Sequence, residues 1–122
     1  MPQSPLIGIV DDDPDIPAAL ASLFRSLGYR AECFSSAEEI LATISLKKFA
    51  CVISDIHMPS MSGLELVPEL HRRERDLPVI LMTGRLETGL REKALSCGAT
   101  AFVVKPFSFE ELVETIKRTV EC

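Results

Sequence analysis

The sequence predicts a doubly wound α/β fold, in which five parallel strands in the order 2-1-3-4-5 carry helices on both faces of the sheet. Short apolar segments alternate with segments of helical periodicity, the pattern of parallel strands connected by helices. The third, fourth and fifth apolar segments are almost wholly hydrophobic, as expected of strands buried on both faces. The predicted strands are residues 6–10, 31–34, 50–54, 78–83 and 101–104.

Length and composition indicate one soluble domain spanning residues 1–122. The chain has 122 residues, of which 47% are hydrophobic, so it can bury one continuous core. Its net charge of -5 argues against binding of a nucleic-acid backbone, and no segment approaches the length of a membrane span. Four scattered cysteines form no metal or disulfide pattern, which favours a reducing cytoplasm; they are Cys33, Cys51, Cys97 and Cys122.

Local signals place the helices and the sheet edge. The second strand alternates polar and apolar residues and is expected at an edge. Serine and glutamate three residues apart form capping boxes that start helices two and five, at Ser36 and Ser108. Gly28 ends helix one, whose apolar stripe comprises Ile16, Leu20, Leu23, Phe24 and Leu27.

Helix four and two prolines are the weak points of this assignment. The narrow core face of helix four consists of Leu90, Ala94 and Leu95, and Thr88 and Gly89 give its start low helical propensity, so we expect this segment to move. Pro17 fits a helix that begins near Asp15, whereas Pro68 falls inside helix three and costs about 3 kcal/mol or kinks it.

Carboxylates follow two strands that should be neighbours. Asp11, Asp12 and Asp13 come directly after the first strand, and Asp55 comes at the end of the third. Ligands bind at the carboxyl ends of strands in this fold. Each close carboxylate pair repels by roughly 4 kcal/mol at an effective dielectric constant of about 20, so the cluster needs a cation. Mg²⁺ is the natural candidate because it prefers oxygen ligands. The alternative, an aspartate that caps a helix, fits Asp13 and stays open for the other two.

The ends of the fourth and fifth strands supply a hydroxyl and an ammonium. Thr83 and Lys105 should reach the same edge as the carboxylates, which gives a nucleophile, a metal site, a hydrogen-bond donor and a fixed cation. This set suits phosphoryl transfer to Asp55, with Mg²⁺ and Lys105 offsetting charge on the transferring group. Singly, each residue has an ordinary structural explanation, and the prediction depends on their combination.

The whole chain resembles the response-regulator receiver family. The matching stretches, in order, are Val10-Asp11-Asp12-Asp13, Ser54-Asp55-Ile56-His57-Met58-Pro59, Met61-Ser62-Gly63-Leu64-Glu65-Leu66, Leu81-Met82-Thr83-Gly84, and Gly98-Ala99 through Val104-Lys105-Pro106-Phe107. The third stretch and Phe102 are most similar to receivers of nodulation and nitrogen-fixation regulators. Relatives of that type commonly carry a DNA-binding module after the receiver.

The resemblance implies a role for each matching site residue. Asp55 corresponds to the phosphoacceptor, Asp11 and Asp12 to the acidic pair, and the backbone carbonyl of His57 to the third metal ligand. Thr83 and Lys105 correspond to the switch hydroxyl and the phosphate-binding lysine.

The resemblance also implies how the phosphoryl group acts and how long it lasts. Phe102 occupies the position of the aromatic switch residue, and Pro106 follows the family's cis peptide bond. His57 and Arg85 border the path of the hydrolytic water and are expected to tune the lifetime of the phosphoryl group.

The implied partners are a histidine kinase or phosphotransfer protein, with a homodimer possible through helix four, strand five and helix five. The chain would act as a switch that catalyses only its own phosphorylation and dephosphorylation. The alternative is a pseudo-receiver or adaptor that works without phosphorylation. A flavodoxin-like binder is disfavoured because three aspartates follow the first strand, where a phosphate-cradling loop would be needed.

Overall fold

The structure, a computed structural model, describes residues 4–43, 45–85, 87–105 and 108–120. Its five parallel strands form one sheet in the order β2-β1-β3-β4-β5, which confirms the predicted topology. The strands are β1 (Leu6–Val10), β2 (Arg30–Phe34), β3 (Cys51–Asp55), β4 (Val79–Thr83) and β5 (Ala101–Val104). The helices are α1 (Asp15–Ser26), α2 (Ala37–Leu41), α3 (Gly63–Arg73), α4 (Leu90–Ser96) and α5 (Phe109–Val120), with a 3-10 turn at Leu46–Lys48.

A hydrophobic core lies on each face of the sheet, because side chains of consecutive strand residues point to opposite faces. One core joins Ile53 and Ile80 to Phe24 of α1 and Ile116 of α5. The other contains Leu66 of α3 together with α2 and α4 residues. All five residues of β1, β3 and β4 are buried, whereas β2 is largely accessible at the edge, as predicted.

Two predicted core leucines are instead exposed, and both predictions were wrong. Leu27 is 39% exposed because it follows the last residue of α1, where the chain turns toward Gly28. Leu95 is 49% exposed because Leu90 and Ala94, four residues apart, already form the buried face of α4. The strand assignments also shift by one residue at β2, β3 and β4.

The predicted helix caps form. The Ser36 hydroxyl accepts the Glu39 N–H at 3.1 Å, and Ser108 accepts the Glu111 N–H at 3.0 Å. The Asp13 carboxylate accepts the N–H of Asp15, the first residue of α1, at 3.0 Å, but the N-cap position itself is occupied by Pro14 and not by Asp13 as predicted. A third cap was missed, although Ser62 and Glu65 have the same spacing.

Helix α3 continues through Pro68, which lies in its interior on the exposed side. None of the described helices is long and apolar enough to cross a membrane.

Candidate functional site

Three carboxylates meet at the carboxyl end of the sheet. Val10 pairs with Ser54 across β1 and β3, so the residues that follow, Asp11 and Asp55, emerge side by side. One oxygen each of Asp11, Asp12 and Asp55 lies within 4.8 Å of the others. The predicted convergence of these residues is therefore present, and hard oxygen donors of this kind suit a cation such as Mg²⁺.

The backbone fixes Asp11 at the floor of this acidic cluster. Its N–H donates to the Phe34 carbonyl at 3.1 Å, and its Oδ1 accepts the Asp13 N–H at 2.9 Å. Asp11 is 2% exposed, whereas Asp12 is open to solvent. Of these two members, Asp11 is buried and held by backbone hydrogen bonds, whereas water can reach Asp12.

Lys105 brings a positive charge to the two buried carboxylates. Its Nζ lies 3.1 Å from Asp11 Oδ2 and 3.4 Å from Asp55 Oδ1. The Lys105 N–H donates to the Thr83 carbonyl at 2.6 Å, which anchors the lysine at the end of β5. The predicted proximity of Lys105 to Asp55 is therefore present.

Burial governs the ionisation of Asp55, which is 7% exposed. Loss of hydration raises the pKa of this carboxyl above its ordinary value, and Lys105 partly offsets the increase. The nearby negative charges of Asp11 and Asp12 raise the pKa further. Any group that adds positive charge here will favour the ionised, nucleophilic form.

Thr83 reaches the same edge but its hydroxyl is engaged locally. The Oγ1 accepts the Arg85 N–H at 3.0 Å and donates to the Arg85 carbonyl at 3.1 Å. The Thr83 side chain is fully buried, and Arg85 is exposed. The structure thus places Thr83 where predicted, with a hydrogen bond that must break before the hydroxyl can serve another acceptor.

His57 lies in the loop between β3 and α3, two residues after Asp55. Within the described residues its backbone carbonyl accepts no hydrogen bond. Its buried Nε2 also has no hydrogen-bond partner there, and Glu87 Oε1 lies 3.8 Å away, beyond hydrogen-bond distance.

Gly63 is a site residue that the sequence prediction missed. A Cβ added to it would lie 2.5 Å from the Asp55 carbonyl oxygen and 3.1 Å from the Ile56 Cα. Only glycine allows this close approach of α3 to the end of β3. The match of this glycine to the family motif was the available signal.

Phe102 is buried on β5, 7% exposed, and packs in the core with Leu81, Leu90 and Ala94. The Arg91 guanidinium of α4 lies 5.0 Å from the centroid of the ring, a contact that the sequence did not indicate. Pro106 lies outside the described residues, so its predicted cis bond stays a prediction.

Comparison with known proteins gives one consistent result. A family model described as the response regulator receiver domain matches residues 7–117. The chain is 38% identical over 116 residues to response regulator protein TodT of Pseudomonas putida, covering 95% of this chain and 51% of TodT. It is 31% identical over 114 residues to transcriptional regulatory protein FixJ of Bradyrhizobium diazoefficiens, covering 93% of this chain and 56% of FixJ. The chain thus spans about half the length of these curated relatives.

Solved structures share the fold closely. A CheY-like receiver domain protein from Methanospirillum hungatei has a TM-score of 0.90 at 31% identity, covering 98% of this chain and 95% of that one. Response regulator protein TrrA from Thermotoga maritima, solved in complex with Mg²⁺ and BeF, has a TM-score of 0.84 at 34% identity, covering 94% and 98%.

Proposed function

The chain belongs to the response regulator receiver domain family of two-component systems, and on that premise we propose that Asp55 accepts a phosphoryl group in a Mg²⁺-dependent reaction. One observation carries the proposal: Asp55 shares the edge of the sheet with Lys105 and two further carboxylates, all within a few ångströms. A nucleophile, a fixed cation and a set of metal ligands are what phosphoryl transfer needs.

In the proposed reaction an Asp55 carboxylate oxygen attacks phosphorus on a phosphohistidine of the donor. The new O–P bond forms as the P–N bond breaks, and the imidazole nitrogen keeps the bonding electron pair. Lys105 Nζ, 3.4 Å from Asp55 Oδ1, lies close enough to offset charge that develops on the phosphoryl oxygens. The chain thus acts as a phosphoacceptor switch that catalyses only its own phosphorylation and its later hydrolysis.

The residues present fit a bound Mg²⁺. Asp11, Asp12, Asp55 and the backbone carbonyl of His57 would hold it, because all four offer oxygen and the three carboxylate oxygens already lie within 4.8 Å of one another. Bound Mg²⁺ would neutralise part of the charge on the transferring group. TrrA was solved with both Mg²⁺ and BeF, which supports the same chemistry here.

After transfer, the Thr83 hydroxyl would leave the Arg85 backbone and donate to a phosphoryl oxygen. That movement would change the packing around Phe102 and so alter the surface formed by α4, β5 and α5.

We further propose that His57 and Arg85 control access of water to the phosphoryl group. In His57→Ala and Arg85→Ala, the hydrolysis rate of the phosphoprotein should then change more than the rate of phosphorylation. An unchanged hydrolysis rate in both variants would refute that role.

The proposed partners follow from the family and from the charge of the chain. Residues 1–122 form a single receiver domain in the cytoplasm that takes its phosphoryl group from a histidine kinase or phosphotransfer protein. The surface of α4, β5 and α5 is the proposed site of a phosphorylation-dependent homodimer. Because the net charge is -5, we propose that these residues do not themselves bind nucleic acid.

Intact-mass spectrometry after incubation with acetyl phosphate tests the proposed function. The mass should increase by one phosphoryl group in the presence of Mg²⁺ and remain unchanged when EDTA removes the metal. Equal incorporation with and without a divalent cation would refute the metal requirement. No incorporation under any condition would favour the adaptor alternative.

A further inference from the structure

Arg91 forms a direct contact between α4 and the aromatic residue of β5. Its guanidinium carbon lies 5.0 Å from the centroid of the Phe102 ring, within the range of a cation–π interaction. Arg91 is exposed on the helix, whereas Phe102 is 7% exposed. An exposed guanidinium therefore lies against a ring that is almost entirely buried.

The contact is not a by-product of an ion pair. Among the described residues no carboxylate lies within 4.0 Å of the Arg91 guanidinium, and the ring is its recorded side-chain partner. Glu111 of α5 lines the same groove of about 460 Å³ without forming that ion pair.

Helix α4 has few other attachments to the sheet. It is seven residues long, and its buried residues are Leu90 and Ala94. Its N-cap is Gly89, which has a φ of 79° and provides no side-chain hydrogen bond. Because little apolar surface anchors this helix, the contact of Arg91 with Phe102 adds a further attachment to the two buried residues.

We propose that Arg91 is a positioning residue of the switch: its guanidinium holds the Phe102 ring in the buried position and ties α4 to β5. Phe102 has no hydroxyl through which a hydrogen bond could fix its position, so the cation on its face takes over that role. Arg91 then sets how readily the surface of α4, β5 and α5 changes. Its part in signalling rests on the proposed function, whereas the contact itself does not.

A double-mutant cycle on the unphosphorylated protein tests the contact by urea unfolding. Arg91→Met keeps the apolar stem and removes the charge, and it should lower the folding equilibrium constant about two- to fivefold. In a Phe102→Leu background, Arg91→Met should leave the folding equilibrium constant unchanged. In the wild-type background, Arg91→Lys should lower this constant less than Arg91→Met does. Lys93→Ala, on the same helix, is the control, and its effect on the folding equilibrium constant should be the same with Phe102 as with Leu at position 102. An equal loss in both backgrounds would overturn the proposal.

Hydrogen exchange of residues 90–96 tests the effect on the helix. In Arg91→Met these amides should exchange faster before activation, and beryllofluoride with Mg²⁺ should add a smaller change than in the wild type. A wild-type exchange pattern in Arg91→Met, with or without beryllofluoride, would overturn the positioning role. If the wild-type protein does not respond to beryllofluoride, the proposed function is refuted. The double-mutant cycle and the hydrogen exchange measured without beryllofluoride still test the Arg91–Phe102 contact in that case.

Discussion

At the scale of single residues, Asp55 lies in surroundings that favour its neutral form. Burial raises the pKa of the carboxyl, Lys105 lowers it in part, and the charge of Asp11 raises it. A carboxyl with a raised pKa in the folded state stabilises the fold at low pH and loses that contribution as the pH rises through the raised value. The ionised site is therefore electrostatically costly at neutral pH.

The first prediction concerns this cost. Asp55→Asn should raise the free energy of unfolding at pH 7 by on the order of 1 kcal/mol, because a buried negative charge is removed while Lys105 keeps Asp11 as a partner. The gain should shrink as the pH falls through the raised pKa of Asp55. Urea unfolding between pH 7 and pH about 4 measures it. Asp76→Asn, at an exposed position, is the control, and an Asp55→Asn gain that stays constant with pH would contradict the assignment.

The second prediction concerns the metal. Asp12 is the exposed member of the acidic cluster, so Asp12→Ala should weaken Mg²⁺ binding at least tenfold, a loss of about 1.4 kcal/mol. Without metal the variant should be slightly more stable than the wild type, since one of three mutually repelling charges is gone. Thermal-shift titration with Mg²⁺ gives both quantities. If the titrations of the variant and the wild type coincide, Asp12 serves only as a turn residue.

Sequence reasoning succeeded for residues whose positions follow from topology. Asp11, Asp55 and Lys105 lie at the carboxyl ends of parallel strands, and these ends meet at one edge of the sheet. It did not predict that the Thr83 hydroxyl would bind the Arg85 backbone, because a local turn competes with the site for the same group. Nor did it find Arg91, whose contact depends on how α4 is rotated above β5.

At the scale of secondary-structure elements, apolar patterns and capping boxes located the five strands and five α-helices of the described residues but not the 3-10 turn, and they did not determine which residues are buried. Leu95 was assigned to the core face of α4, yet Leu90 and Ala94 fill that face and Leu95 projects into solvent. Neighbouring residues in a helix lie about 100° apart, so a short helix with three apolar residues offers more than one way to rotate. Tertiary packing, which is absent from a local pattern, decides between them.

The third prediction concerns α3, which tolerates a proline in its interior. Pro68 cannot donate the hydrogen bond that a residue at this position would give to Leu64, and its ring is exposed, so replacement loses little packing. Pro68→Ala should stabilise the fold by about 1–2 kcal/mol. Alanine has the higher helix propensity, but part of this gain is lost because the unfolded chain has more conformational freedom without proline. Urea unfolding measures the change, with Lys93→Ala at an exposed position of α4 as the control for replacement by alanine. A destabilised Pro68→Ala variant would show that the ring makes a favourable contact.

At the scale of the whole molecule, the site and the proposed output surface are joined by β4 and β5. Thr83 ends β4 and pairs with Val104 of β5, two residues from Phe102. A change at the Thr83 hydroxyl is therefore one strand away from the ring and from α4. The candidate site and the proposed output surface of α4, β5 and α5 are therefore close together. A modest coupling free energy of about 1–3 kcal/mol between them suffices to link phosphorylation to a change at that surface.

The fourth prediction follows from this arrangement. Beryllofluoride with Mg²⁺ should change amide hydrogen exchange across residues 84–97 and 101–112, and Thr83→Ala should reduce that change because the hydroxyl is gone. Thr43→Ala, far from the site, should respond as the wild type does. A full response in Thr83→Ala, or changes restricted to the loop after Asp55, would place the signal on another route.

The most direct test of the central claim is where the phosphoryl group goes. After incubation with acetyl phosphate and Mg²⁺, intact mass and peptide mapping should show one phosphoryl group on Asp55, released at alkaline pH as expected of an acyl phosphate. Asp55→Ala and Asp55→Asn should remain unmodified while retaining the fold by circular dichroism. Phosphorylation of Asp55→Ala to the wild-type level would contradict the account.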